Sequence, residues 1–124
     1  MVRISRREFA SLVLQALDSL PQAIQSRIDN VDVVVVDWPT RNDLDESGLT
    51  DRRQLLGLYQ GIPLTEREHY DMALPDKITI FRRPIEAACH SRKGVVTEVR
   101  ATVIHEVAHH FGIDDDELER TQYR

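Results

Sequence analysis

The sequence predicts an α+β domain: a small mixed sheet of about three strands, packed on N-terminal helices and on one long helix near the C-terminus. Three observations predict it. Apolar residues recur at helical spacing directly behind a capping-box pattern, Ser5-x-x-Glu8. Two runs rich in β-branched residues, 31–37 and 77–81, have the length and composition of strands. Val96, Val99, Val103 and Val107 then recur at steps of three or four, which gives a long helix one buried face. A chain of 124 residues builds one core, so residues 1–124 are expected to form one domain. Its 41% hydrophobic and 30% charged content belongs to the soluble globular class.

Phe9, Leu12, Val13, Ala16, Leu17 and Leu20 form the apolar face of the first helix. Pro21 suits the first turn of a second, short helix carrying Ala23, Ile24 and Ile28. The run VDVVVVD at 31–37 is nearly continuous, which predicts a strand buried on both faces, and Pro39 ends it. Trp38 is expected to close the core. Residues 40–54 are polar and read as a loop. A second strand covers 55–61, ended by Gly61 and Pro63; the stretch 64–74 is ambiguous, and Leu74-Pro75-Asp76 is a turn. Lys77-Ile78-Thr79-Ile80-Phe81 alternates as a third strand, either the sheet edge beside a cleft or an interior strand. Pro84 opens a short helix with Ile85, Ala88 and Cys89, and Ser91 to Gly94 break it. The long helix then runs from Val95 to near Phe111, with Gly112 placed for a left-handed terminus. Asp114-x-x-Glu117 resembles the start of a last helix ending near Tyr123.

The net charge of -5 argues against a general nucleic-acid binder, since nothing offsets phosphate repulsion. Arg6-Arg7, Arg52-Arg53, Arg82-Arg83 and Arg92-Lys93 are pairs rather than a basic field, and read as solvated surface. Val33-Val34-Val35-Val36 is the longest apolar run, far too short to span a membrane. The N-terminus lacks a signal-peptide core, and Cys89 is a single cysteine, so the expected location is the cytoplasm.

The chemistry is concentrated in His105-Glu106-Val107-Ala108-His109, an H-E-x-x-H pattern. Two imidazoles at i and i+4 on a helix stand one turn apart on one face and can bind one zinc ion. A hydrolytic zinc site uses three protein ligands and leaves one position open. Gly112, one turn after His109, can take a positive φ and reverse the chain, so the residue three further on, Asp115, swings back towards the metal. Asp114, Asp116 and Glu117 are rivals, though spacing favours Asp115. A carboxylate third ligand makes a bound water less acidic than an all-histidine site does. Glu106 stands where a general base is needed to take a proton from the attacking water.

The motif resembles that of the zincin metallopeptidases, and with Gly112 and Asp115 it is similar to the extended metzincin motif, Asp replacing the usual third histidine. The chain looks like the small bacterial "minimal" zincin-like metalloproteases, through LLGLYQGIPLTER, LPDKITIFRRPIE and TVIHEVAHHFGIDDDEL. That resemblance implies a zincin-like fold whose sheet packs over the active-site helix. It also implies zinc ligands His105, His109 and Asp115, a catalytic Glu106, and a peptide or protein substrate. Metzincins carry a methionine turn after the third ligand; here no methionine follows Asp115, and Met72 lies upstream. With little chain after Asp115, the cleft is expected to be shallow, or to be completed by a second copy or a partner chain.

Tyr59, His69 and Tyr70 are oxyanion-donor candidates by residue type alone. His110 points about 100° away from its neighbour His109 and reads as structural or solvent-facing. His69 and His90 have no ligand spacing. Cys89 fits a buried apolar helix face better than a zinc-capping thiolate. Arg82 and Arg83 could steer acidic substrates or simply guard a sheet edge. Two functional readings remain: a zinc-dependent peptide hydrolase, and a zinc-stabilised interaction module without peptidase activity. Glu106 favours the first, because a purely structural site needs no base and is usually closed by four ligands.

Overall fold

A computed structural model describes residues 2–28, 30–61 and 76–112. The ambiguous stretch 64–74, the Leu74-Pro75 turn and the expected last helix lie outside the described residues. In chain order the elements are α1 (Arg6–Asp18), α2 (Gln22–Gln25), β1 (Val31–Val36), α3 (Arg41–Ser47), a 3-10 turn (Arg52–Gln54), β2 (Gly57–Gln60), β3 (Asp76–Phe81), α4 (Arg82–Ala88) and α5 (Arg92–His110). This is the α+β architecture expected, with a mixed sheet of three strands among the described residues.

The capping signal at the N-terminus works as read. Ser5 Oγ accepts from the Glu8 backbone N–H at 3.1 Å, and Phe9, Leu12, Val13 and Ala16 are buried behind it. Pro21 stands at the N-cap of α2 rather than inside its first turn. The stretch 40–54 is not a loop throughout. Thr40 and Asp43 form a reciprocal capping box, and Gly48 ends α3 at φ 71°. The polar residues that suggested a loop are the ones that satisfy the ends of a short helix.

The strand order is β1-β3-β2, with β1 parallel and β2 antiparallel to β3. Among the described residues the third strand is therefore the central one, and β1 is an edge rather than a strand buried on both faces. Val31, Val33 and Val35 pack against the core while Asp32 and Val36 are exposed. Valines on the outer face of β1 hid the alternation in the sequence. Along β3, Ile78, Thr79, Ile80 and Phe81 are all buried, as a central strand requires. Trp38 does not close the core; it lies half-buried, with the Arg52 guanidinium 4.0 Å above its ring.

The long helix begins three residues earlier than expected. Ser91 caps α5 by accepting from the Gly94 backbone N–H at 3.0 Å, so Ser91 to Gly94 start the helix instead of breaking a chain between helices. Its core stripe is Val95, Val99, Val103 and Val107, with Val96 only half-buried. Against it pack α1 residues Phe9, Leu12 and Val13 and β3 residues Ile78 and Ile80, in one core. No described helix is long and apolar enough to cross a membrane.

The Arg82-Arg83 pair is not solvated surface. Arg82 is buried, donates to Asp37 Oδ1 at 3.0 Å and gives a further hydrogen bond to the Ile4 carbonyl at 2.7 Å. The buried Glu86 accepts from the Ile4 backbone N–H at 2.6 Å and from Arg83 at 3.0 Å. Arg6 adds a second guanidinium on Asp37 at 3.0 Å. These bonds pin the N-terminal segment across the junction of β3 and α4 and pair both arginines within the fold.

The Arg82 and Arg6 guanidinium groups that hydrogen-bond Asp37 hold its carboxyl down at about 2, from an ordinary 3.8. Because the folded value is the lower one, this stabilisation is fully present above pH 3.8 and is lost as pH falls through about 2. Acid titration of the folded fraction should therefore show Asp37→Asn less stable than wild type at neutral pH. The gap should narrow as pH falls through that window.

Candidate metal site

His105, Glu106 and His109 lie in the last two turns of α5, where the valine stripe fixes which way each side chain points. With Val103 and Val107 turned into the core, His105 and His109 fall on the opposite flank, both partly exposed and lining a cleft. Their rings stand 4.6 Å apart between centroids and are inclined by 67°. One nitrogen from each and one oxygen of Glu106 lie within 4.8 Å of one another. Two imidazoles one turn apart are donors that suit zinc, and the Glu106 carboxylate lies beside them. The position also suits a cation, since the C-terminal turn of a helix carries partial negative charge. The chemistry of the residues present therefore fits the metal.

Glu106 is buried, with its Oε1 3.3 Å from His109 Nδ1. What brings the sheet over it is Gly57. A Cβ at that position would stand 2.7 Å from Thr102 Cγ2 and 3.1 Å from Glu106 Cγ, so only a glycine lets β2 lie this close to α5. In the sequence this signal is an isolated glycine inside a strand pattern, Leu55-Leu56-Gly57-Leu58-Tyr59. The strand beside the cleft is β2, not the 77–81 strand. Residues Leu55 to Tyr59 form one wall, α5 forms the floor, and the cleft measures about 810 Å³.

His110 is buried, and the pair it makes is a finding the sequence did not offer. Its Nδ1 lies 2.8 Å from Asp76 Oδ2, and the Tyr59 hydroxyl donates to the same oxygen at 2.6 Å. Asp76, expected in a turn, is the buried first residue of β3. It joins β2, β3 and the last turn of α5 beneath the site. The Tyr59 hydroxyl is engaged by Asp76, which weakens it as an oxyanion donor. His69 and Tyr70 lie outside the described residues.

After His110, Phe111 caps the helix, and Gly112 takes φ 77° with its N–H on the His109 carbonyl at 2.9 Å. That is the left-handed terminus expected of it. Asp115 and its rivals Asp114, Asp116 and Glu117 lie outside the described residues. His90 is exposed, as read. Cys89 is buried in the core near the other end of α5, and burial, with Glu98 nearby, raises its thiol pKa, so it is no zinc-capping thiolate.

Two substitutions test this arrangement by urea unfolding. Gly57→Ala should lose about 1–3 kcal/mol, the cost of forcing a methyl group between packed elements. Asp76→Ala should lose about 3 kcal/mol, because it removes the acceptor that the buried His110 shares with the half-buried Tyr59 hydroxyl.

No curated protein matches the chain. A family model, described as zincin-like metallopeptidase, matches residues 28–124, from just before β1 through the whole of α5. With well over half its length matched, and two histidines and a glutamate gathered on one helix at the cleft floor, the chain belongs to the zincin-like metallopeptidase family.

Proposed function

We propose that the chain is a zinc-dependent peptidase in which His105, His109 and Asp115 hold the metal and Glu106 is the general base. The observation that carries this is the convergence of His105, Glu106 and His109 on the floor of a cleft walled by a sheet edge. Zinc held there would supply Lewis acidity to water and to the scissile carbonyl. Glu106 takes a proton from the attacking water and passes it to the leaving amine. Its burial between Gly57 and His109 keeps competing solvent away from the carboxylate.

Substrate binds in this reading as an extended strand added to β2. Among the described residues β2 pairs only with β3, so its other edge offers backbone groups to a peptide. The Tyr59–Asp76–His110 bonds keep β2 and the last turn of α5 in fixed relation, so the imidazoles and the wall move as a unit. The cytoplasm, expected from the sequence, remains part of this proposal, as does completion of the cleft by a second copy or partner.

The test is zinc content and cleavage of a mixed quenched-fluorescence peptide library, with Glu106→Gln beside wild type. Both proteins should bind about one zinc per chain, and Glu106→Gln should cleave about a thousandfold more slowly. His105→Ala and His109→Ala should lose the zinc and, with it, the metal-dependent rise in melting temperature. Loss of zinc from Glu106→Gln would make Glu106 a ligand rather than the base. Zinc bound by wild type with no peptide cleaved would favour the zinc-stabilised interaction module.

A further inference from the structure

We infer that the cleft selects peptides with a lysine or arginine about three residues from the scissile bond, held by Glu98. The inference rests on the peptidase reading and adds a substrate class to it. Beyond the histidines, the cleft continues along the N-terminal half of α5 between that helix, the end of α3 and the chain leading into β2. Leu49, Leu55 and Ala101 line this extension, with Ser47 and Gln54, and Glu98 supplies its charge. Among the described residues that line the cleft, the acidic ones are Glu98 and Glu106, and there is no lysine or arginine.

The register follows from helix geometry. Seven residues separate Glu98 from His105, about 10 Å of helix axis at ~1.5 Å per residue. An extended peptide covers that distance in about three residues at ~3.4 Å each. Gly57 lies over Thr102 and Glu106, while Tyr59 contacts His110, so β2 runs alongside α5 in the same direction. A peptide laid along β2 therefore passes over Glu98 on the side of the cut facing the N-terminal end of α5.

The chemistry selects a long cation. Leucine and alanine walls suit an aliphatic stem, and a carboxylate at the end suits an ammonium or guanidinium head. Glu98 makes no hydrogen bond or ion pair with another described residue, so its charge is not already spent inside the fold. It is half-exposed, which keeps the cost of its desolvation low. A glutamate or aspartate side chain at the same peptide position meets repulsion instead.

The experiment uses the full zinc-loaded chain and a library in which lysine, arginine, glutamine, leucine and glutamate are scanned at each position around the cut. Wild type should favour lysine and arginine over glutamine by about five- to tenfold in kcat/KM, at one position about three residues from the cut. Glu98→Gln should abolish that preference, Glu98→Lys should invert it towards glutamate, and added salt should weaken it. A second readout does not need turnover: fluorescence anisotropy of a lysine-bearing peptide and its glutamine counterpart on Glu106→Gln, with and without Glu98→Gln. Tighter binding of the lysine peptide that depends on Glu98 supports the basic subsite even if no peptide is cleaved, a result that would count against the peptidase reading alone. Efficient cleavage with no basic preference, or with a preference that survives Glu98→Gln, overturns the subsite and leaves the peptidase reading standing. Failure of every peptide both to be cleaved and to bind overturns both.

Discussion

A methyl group does not fit between β2 and α5. At Gly57 the sheet edge lies against Thr102 and Glu106 at a separation that any larger residue would open. That close approach makes the edge strand the wall of a cleft and the helix its floor, with the Thr102 and Glu106 side chains directly against the strand backbone. It buries Glu106 although the glutamate lies on a flank of the helix rather than on its valine stripe. A carboxylate shielded in this way, with an imidazole at 3.3 Å, is held within the floor of the cleft rather than solvated on a helix surface.

One helix thus meets three surroundings along its length. Val95, Val99, Val103 and Val107 face α1 and β3 in the core. Glu98, Ala101, Thr102, His105 and His109 face the cleft. His110, one position round from His109, turns inward to Asp76. The core stripe leaves α5 little freedom to rotate about its axis, so hydrophobic packing far from the site sets the direction of the imidazoles.

The helix motif and its valine stripe were legible because both follow a 3.6-residue period within one continuous segment. The strands were legible as strands, from β-branched composition, but not in their order. Pairing joins β1 to β3 across 39 intervening residues, and nothing local in VDVVVVD distinguishes an edge from a centre. Thr40-x-x-Asp43 and Gly48 do announce α3, but a segment this polar shows no apolar periodicity to mark it as a helix. Arg82 and Asp76 could not be placed, since a buried charge looks like a surface charge until its partner is known. Their partners, Asp37 and His110, are 45 and 34 residues away.

Those two residues explain why β3 matters more than its six residues suggest. Asp76 opens the strand and Arg82 follows directly on its end; both are buried, and both are held by hydrogen bonds to distant elements. Asp76 ties the strand to β2 and to the end of α5, beneath the histidines. Arg82 ties it to Ile4 and Asp37, beneath the N-terminal segment. The apolar residues between them, Ile78, Ile80 and Phe81, are fully buried, so the strand cannot slip by one position without placing a charge in the core and moving both polar ends off their partners. Hydrophobic packing would tolerate some drift along β3; the polar bonds at its ends do not. The register that places Gly57 opposite Ile80, and therefore over Glu106, is fixed from both ends of the central strand.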